Sequence, residues 1–157
     1  MKKGILSIAL GLAIMAIGTT TKAADKNPVN SKKLTANEKA VKDFSKQFKN
    51  AVTPTIYSAG DGFIVSSDSA GNKVTAAYNK KGNWVYTIER YATDKPAAEI
   101  VDIVKDSYEN YMVAGMEKID QPGFNTVYIV HLENCHSIKT VRVTNEEVEL
   151  VEDFKKG

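Results

Sequence analysis

Cysteine is nearly absent from this chain. Cys135 is the only one in 157 residues, so no internal disulfide can form and stability must rest on an apolar core. Histidine is scarce too. His131 and His136 are the only two, whereas zinc sites usually draw on two separated pairs of His or Cys ligands. There is no Gly-rich phosphate loop, no Gly-x-Ser-x-Gly elbow and no His-Glu-x-x-His pattern. An excess of one charge sign is missing as well. The chain has 21 basic against 19 acidic residues, and residues 1–23 hold three lysines and no acid. The remainder is therefore near neutral and lacks the basic surface that nucleic-acid binding needs.

Long apolar runs are limited to Ile5–Ile17, which carries no charge and follows Met1-Lys2-Lys3. A spanning helix needs about 20 apolar residues, and this run is shorter. Gly18-Thr19-Thr20-Thr21 and Lys22-Ala23-Ala24 come next. That three-part layout is a secretory signal peptide, and it predicts a periplasmic or secreted protein with no stable membrane insertion after cleavage. Cleavage after Ala23 leaves Thr21 and Ala23 at the small-residue positions, while cleavage after Ala24 puts Lys22 at one of them. The expected division is a signal peptide at 1–23, a flexible polar leader at 24–34 and a single domain at 35–157.

Within that domain, Thr35-Ala36-Asn37-Glu38 fits a capping box, and Val41, Phe44 and Phe48 follow at helical spacing until Pro54. Alternating segments come next at Thr55–Ser58 and Phe63–Ser67. Val74–Tyr78 and Trp84–Tyr91 read as a hairpin, joined by Asn79-Lys80-Lys81-Gly82-Asn83. Thr93-Asp94-Lys95-Pro96 is a second helix entry, and Ile100, Val101, Ile103, Val104, Tyr108 and Tyr111 form a second apolar stripe. Strands are predicted at Met112–Ile119, Val127–Leu132, Ser137–Val143 and Val148–Phe154. A shift of 60 places sets Val41, Phe44 and Phe48 over Val101, Val104 and Tyr108, which suggests an internal repeat. The expected fold class is α+β: two tandem helix-plus-3-to-4-strand units, about 36–91 and 93–154, forming one antiparallel sheet with both helices on one face.

Strand alternation then assigns the sides. Val74, Ala76, Tyr78, Trp84, Tyr86 and Ile88 are expected to face the helices, together with Tyr128, Val130, Leu132, Val141, Val143, Val148 and Leu150. Thr75, Thr87, Glu89, His131 and Arg142 are expected on the uncovered face, around Ile129 and Val151. These five are the candidate binding residues for a protein surface or peptide, and plain solvated sheet explains them equally well. By the same parity Trp84 belongs to the core rather than to a binding surface.

The segment Ala77–Glu89, with Gly82-Asn83-Trp84 and the tail Thr87-Ile88-Glu89, resembles the recurring Gly-Asn-Trp hairpin of PepSY-like, β-lactamase-inhibitor-like small exported bacterial proteins. The resemblance extends over about residues 36–154. It departs at Thr144-Asn145-Glu146-Glu147, where a second Gly-Asn turn would sit. It implies an exported binding or inhibitory module with an open sheet face.

One cluster of reactive side chains remains. In an extended segment His131, Glu133 and Cys135 project to one side and could ligate a metal, but a polar turn with a free thiol accounts for the same residues. Cys135 and His136 are neighbours that point to opposite faces, so they do not form a nucleophile pair. The sequence thus predicts a non-catalytic binding module with a protein partner, no cofactor and no metal. The alternative is a small-molecule or envelope-component binder with a pocket between helices and sheet.

Overall fold

The computed structural model describes residues 34–157. The expected signal peptide, and the expected leader apart from Leu34, lie outside the described residues. Eight strands and two helices follow in the order α1 (Ala36–Gln47), β1 (Ala51–Ala59), β2 (Gly62–Ser69), β3 (Asn72–Asn79), β4 (Trp84–Arg90), α2 (Ala98–Ser107), β5 (Met112–Asp120), β6 (Val127–Glu133), β7 (Ser137–Thr144) and β8 (Glu147–Lys155). Each strand pairs antiparallel with the next in sequence, giving one sheet in the order β1 to β8.

The expectation of two tandem helix-plus-strand units is corrected by this arrangement. The described residues are mostly β and form a single eight-stranded antiparallel sheet with two helices. The finding that decides it is the pairing of β4 with β5, Thr87 opposite Asp120 through Arg90 opposite Glu117. An edge at β4 would leave a row of backbone donors and acceptors unpaired, and β5 satisfies them. The apolar stripes show that each helix needs a sheet to pack on. They do not show where a sheet ends.

α1 begins where its sequence signal lies, with the Thr35 amide donating to Glu38 Oε2 at 2.8 Å. It ends earlier than expected, at Gln47, where the Phe48 amide closes the last turn on Phe44 O. Pro54 is not a helix stop. It lies in edge strand β1 beside Thr53, whose φ is 47°, at a bulge where a missing N–H is tolerated. α2 likewise starts at Ala98, after a turn in which the Lys95 amide donates to Ala92 O.

Two apolar clusters hold the helices to the sheet. Ala40 and Phe44 of α1 pack on Val65, Val74, Ala76 and Tyr78, and Ile100 and Val104 of α2 pack on Met116, Val130, Leu132, Val141 and Val143. Opposed residues in adjacent strands share a face, and the row Val74, Glu89, Lys118, Tyr128, Val143 runs across β3 to β7. Both clusters therefore sit on the same face. Phe44 is fully buried, and truncating such a ring typically costs about 3–5 kcal/mol.

The β3–β4 turn is fixed from two sides. Asn79 Oδ1 accepts the Lys81 and Asn83 amides at 2.9 and 3.1 Å, and the Gly82 amide donates to Asn79 O. Gly82 has φ +71° and lies against α1, so that a Cβ there would come within 2.3 Å of Ala36 O. Gly60 in the β1–β2 turn also has positive φ, +52°, but open space around it. Gly82→Ala is therefore expected to lower stability by well over about 1 kcal/mol, and Gly60→Ala by about 1 kcal/mol. Urea unfolding of the two variants checks this; equal losses would refute the turn–helix contact.

Candidate functional site

The open face of the sheet depends on one irregularity in β4. Tyr78 stands opposite Trp84, but Ala77 stands opposite Tyr86, so β4 has one more residue here than β3, at Val85. A bulge of this kind turns every later side chain of the strand over. Trp84 stays on the helix-bearing face and packs against the α1 cluster. Its Nε1 donates to Thr87 Oγ1 at 2.9 Å, and Thr87 is only 2% exposed.

Two candidate residues are thereby corrected. Thr87, opposite Ala76, and Glu89, opposite Val74, lie on the helix-bearing face rather than the open one. Tyr86 and Ile88, expected in the core, lie on the open face opposite Ala77 and Thr75. Thr75, His131 and Arg142 are on the open face. Thr75 Oγ1 lies 3.2 Å from Ser66 Oγ, and His131 Nδ1 lies 3.2 Å from Thr140 Oγ1. Arg142 pairs with Glu149. Thr75 on β3 lies three strand spacings, about 14 Å, across the sheet from β6, and His131 is four residues along β6 from Val127, the position in register with Thr75, so the sheet does not bring these three together.

Two zones make up the open face. The first is apolar: Tyr57, Ile64, Ala77 and Tyr86 form one row across β1 to β4, and Ile88, Ile119 and Val127 continue beside it. A solvent-open cleft of about 400 Å³ adjoins this zone, lined by Ile64, Ala77 and Tyr86 with Asp61 and Lys80. The second zone is a charged row, Asp68, Lys73, Arg90, Glu117, Ile129, Arg142, Glu149, one residue from each of β2 to β8. Arg90 and Glu117 pair at 2.5 Å. Arg90, Glu117, Tyr86, Ile88 and Ile119 are surface residues that sequence reasoning missed. Without a glycine to mark it, the bulge leaves no local signal, and the β4–β5 register is set across the α2 excursion.

On the opposite face, the strip between the two apolar clusters is polar. Asn72 Nδ2 donates to Glu89 at 2.8 Å, Lys118 pairs with Asp120 at 3.0 Å, and Thr126 donates to Asp120 at 2.7 Å. Burial raises the Tyr91 phenol above its ordinary range, and the negative charge of Glu89 adds to that. Burial also raises Tyr128, against the opposing pull of Lys118. For Lys118, burial acts downward, but the hydrogen bond and charge of Asp120 outweigh it and the ammonium is raised.

The reactive side chains of the 131–136 segment have separate surroundings. Glu133 is paired with Lys156 at 2.5 Å, Cys135 is exposed in the β6–β7 turn, and the His136 amide donates to Asn134 Oδ1. Among the described residues no group of three or more His, Cys, Asp or Glu side chains is arranged to hold a metal ion. No helix among them is long and apolar enough to cross a membrane.

Comparison with solved structures gives the fold. A BLIP-like protein from Bacteroides fragilis matches with a TM-score of 0.55 at 17% identity, over 76% of this chain and 87% of that one. A DUF2874 family protein from Bacteroides ovatus matches with a TM-score of 0.55 at 14% identity, over 74% and 85%. A Bacteroides eggerthii protein described provisionally as periplasmic has the same score at 9% identity, over 74% and 86%. The fold is therefore BLIP-like, and identities this low carry nothing finer. No family model and no curated protein matches the chain.

The raised tyrosines define an alkaline limit. An unfolded tyrosine loses its proton near pH 10, while Tyr91 and Tyr78 hold theirs longer when folded. The native state then binds more protons than the unfolded one, so this contribution is intact below about pH 10 and is lost as pH rises further. Calorimetric Tm is expected to fall above about pH 10, less steeply for Tyr91→Phe than for the wild type. Identical slopes would contradict it.

Proposed function

We propose that the protein is an exported, non-catalytic module that binds another protein on its open sheet face, with inhibition of that partner as its effect. The observation that carries this reading is the two-zone face itself. Among the described residues no element covers it, and it places an apolar, tyrosine-bearing patch beside a row of paired charges. Protein interfaces combine these parts, an apolar and aromatic centre with a polar rim. The expected signal peptide at 1–23, the domain at 35–157 and the PepSY-like hairpin support export and kinship with inhibitor-like modules. The BLIP-like fold agrees with such a role.

Within this reading Thr75, His131 and Arg142 contribute to the rim, and Tyr86, Ile88 and Ile119 form the anchor. Thr87 and Glu89 act indirectly, by holding β4 in its inverted phase. A small-molecule or envelope-component binder is the second reading, favoured by a cleft of about 450 Å³ between α2 and the sheet that includes Ile103, Tyr128 and Glu99.

Affinity capture from envelope extract distinguishes the two. Ile88→Arg places a charge in the apolar zone and is expected to reduce partner recovery by at least about tenfold, the consequence of losing roughly 1.4 kcal/mol. Arg142→Ala removes an exposed ion pair and is expected to change recovery only slightly. Lys105→Ala on α2 serves as the control. Equal recovery with all variants would exclude the open face, and loss only with Tyr128→Ala would favour the cleft.

A further inference from the structure

Among the described residues the two outer strands each keep one row of backbone donors and acceptors without a strand partner, because β1 pairs only with β2 and β8 only with β7. The two edges are treated differently. In β1, Pro54 offers no N–H and Thr53 turns to positive φ beside it, which interrupts any strand that tried to add there. β8 contains no proline, and its only irregularity is one extra residue at Val151. Every residue of β8 except Val148 is exposed, with Leu150 at 46%, Val151 at 52% and Phe154 at 68%. A long edge bearing open apolar side chains recruits a further strand unless something disfavours it.

Charge decides what that strand is. Glu147, Glu149 and Glu152 stand on the open-face side of β8, opposite Thr144, Arg142 and Thr140. Arg142 takes up Glu149, while Glu147 and Glu152 have no ion pair among the described residues. Val148 and Leu150 lie on the other side, opposite Val143 and Val141. A second copy of β8 would add three more glutamates along the same border, and like charges on facing strands repel. We propose that β8 is a strand-addition edge for an extended segment of another protein in which Lys or Arg alternates with branched apolar residues. Its cations lie beside Glu147 and Glu149, and its apolar residues lie beside Val148 and Leu150, a stretch in which no bulge shifts the phase. Backbone pairing supplies affinity, and the alternation supplies specificity. The backbone pairing uses the β8 edge and shares only the border residue Glu149 with the charged row of the open face, so N-methylation of the added strand tests it separately from Ile88→Arg on the apolar zone.

The test titrates the full chain with labelled peptides followed by fluorescence anisotropy. An alternating Lys–Val peptide is expected to bind about tenfold tighter than its Glu–Val counterpart, as two or three exposed charge pairs would give. N-methylation of alternate amides is expected to abolish binding in one phase and spare it in the other, because only one set of amides faces β8. The double variant Glu147→Gln, Glu149→Gln keeps the wild-type Tm and loses most of the preference for the basic peptide. Equal binding of basic and acidic peptides, or equal binding of both methylated phases, would overturn the proposal. So would concentration-dependent dimerisation of the chain that Val151→Pro abolishes, which would make a second copy the occupant.

Discussion

Side chains alternate along a strand with a period of two, so a single inserted residue exchanges the two faces for everything that follows. In β4 that residue is Val85, and the centre of the sheet is arranged around it. The hydrogen bond from Trp84 to Thr87 can form only because the bulge places residues three apart on the same side. It also satisfies the buried Thr87 hydroxyl, and leaving that group unpaired would cost about 1–3 kcal/mol. With the inversion locked, Ile88 joins Ile119 and Val127 on the open face, and Glu89 meets Asn72 and Lys118 on the other.

The same inversion divides the core. Had β4 kept its simple alternation, Tyr86 and Ile88 would have bridged the α1 and α2 clusters into one apolar layer. Instead Thr87, Glu89, Lys118 and Asp120 form a polar strip between two separate clusters. On the helix-bearing face, cohesion across the middle of the molecule therefore comes from the β4–β5 backbone ladder and this polar strip, not from contact between the two apolar clusters. Surface pairs such as Lys118 with Asp120 add little each, so the ladder is the principal tie.

Where local signals coincide with local structure, the sequence was legible. The Thr35–Glu38 cap, the Phe44 stripe, the turn at 79–83 and the bounds of β5 to β8 follow from neighbouring residues, and the structure has these elements within a residue or two. Pro54 misled because the same ring ends a helix and blunts a sheet edge. The site was legible in part. Thr75, His131 and Arg142 belong to strands whose phase is unbroken up to those positions. Thr87 and Glu89 lie just past a bulge that involves ordinary residues, where parity from sequence inverts without notice. A single antiparallel sheet was expected, but the register that joins β4 to β5 was hidden for a related reason: the two strands recognise each other only after α2 has been laid down between them.

The crowding of Gly82 against Ala36 has a practical side as well. An exposed hairpin turn is ordinarily where a chain can be cut, lengthened or rejoined at little cost. At 79–83 that freedom is absent, since the turn is braced by Asn79, touches the start of α1 and is tied to it by Lys39 and Asn83. The turn around Gly60 has open space instead. Epitope tags, protease sites or new termini thus belong in the β1–β2 turn, and the more conspicuous hairpin is the place to leave intact.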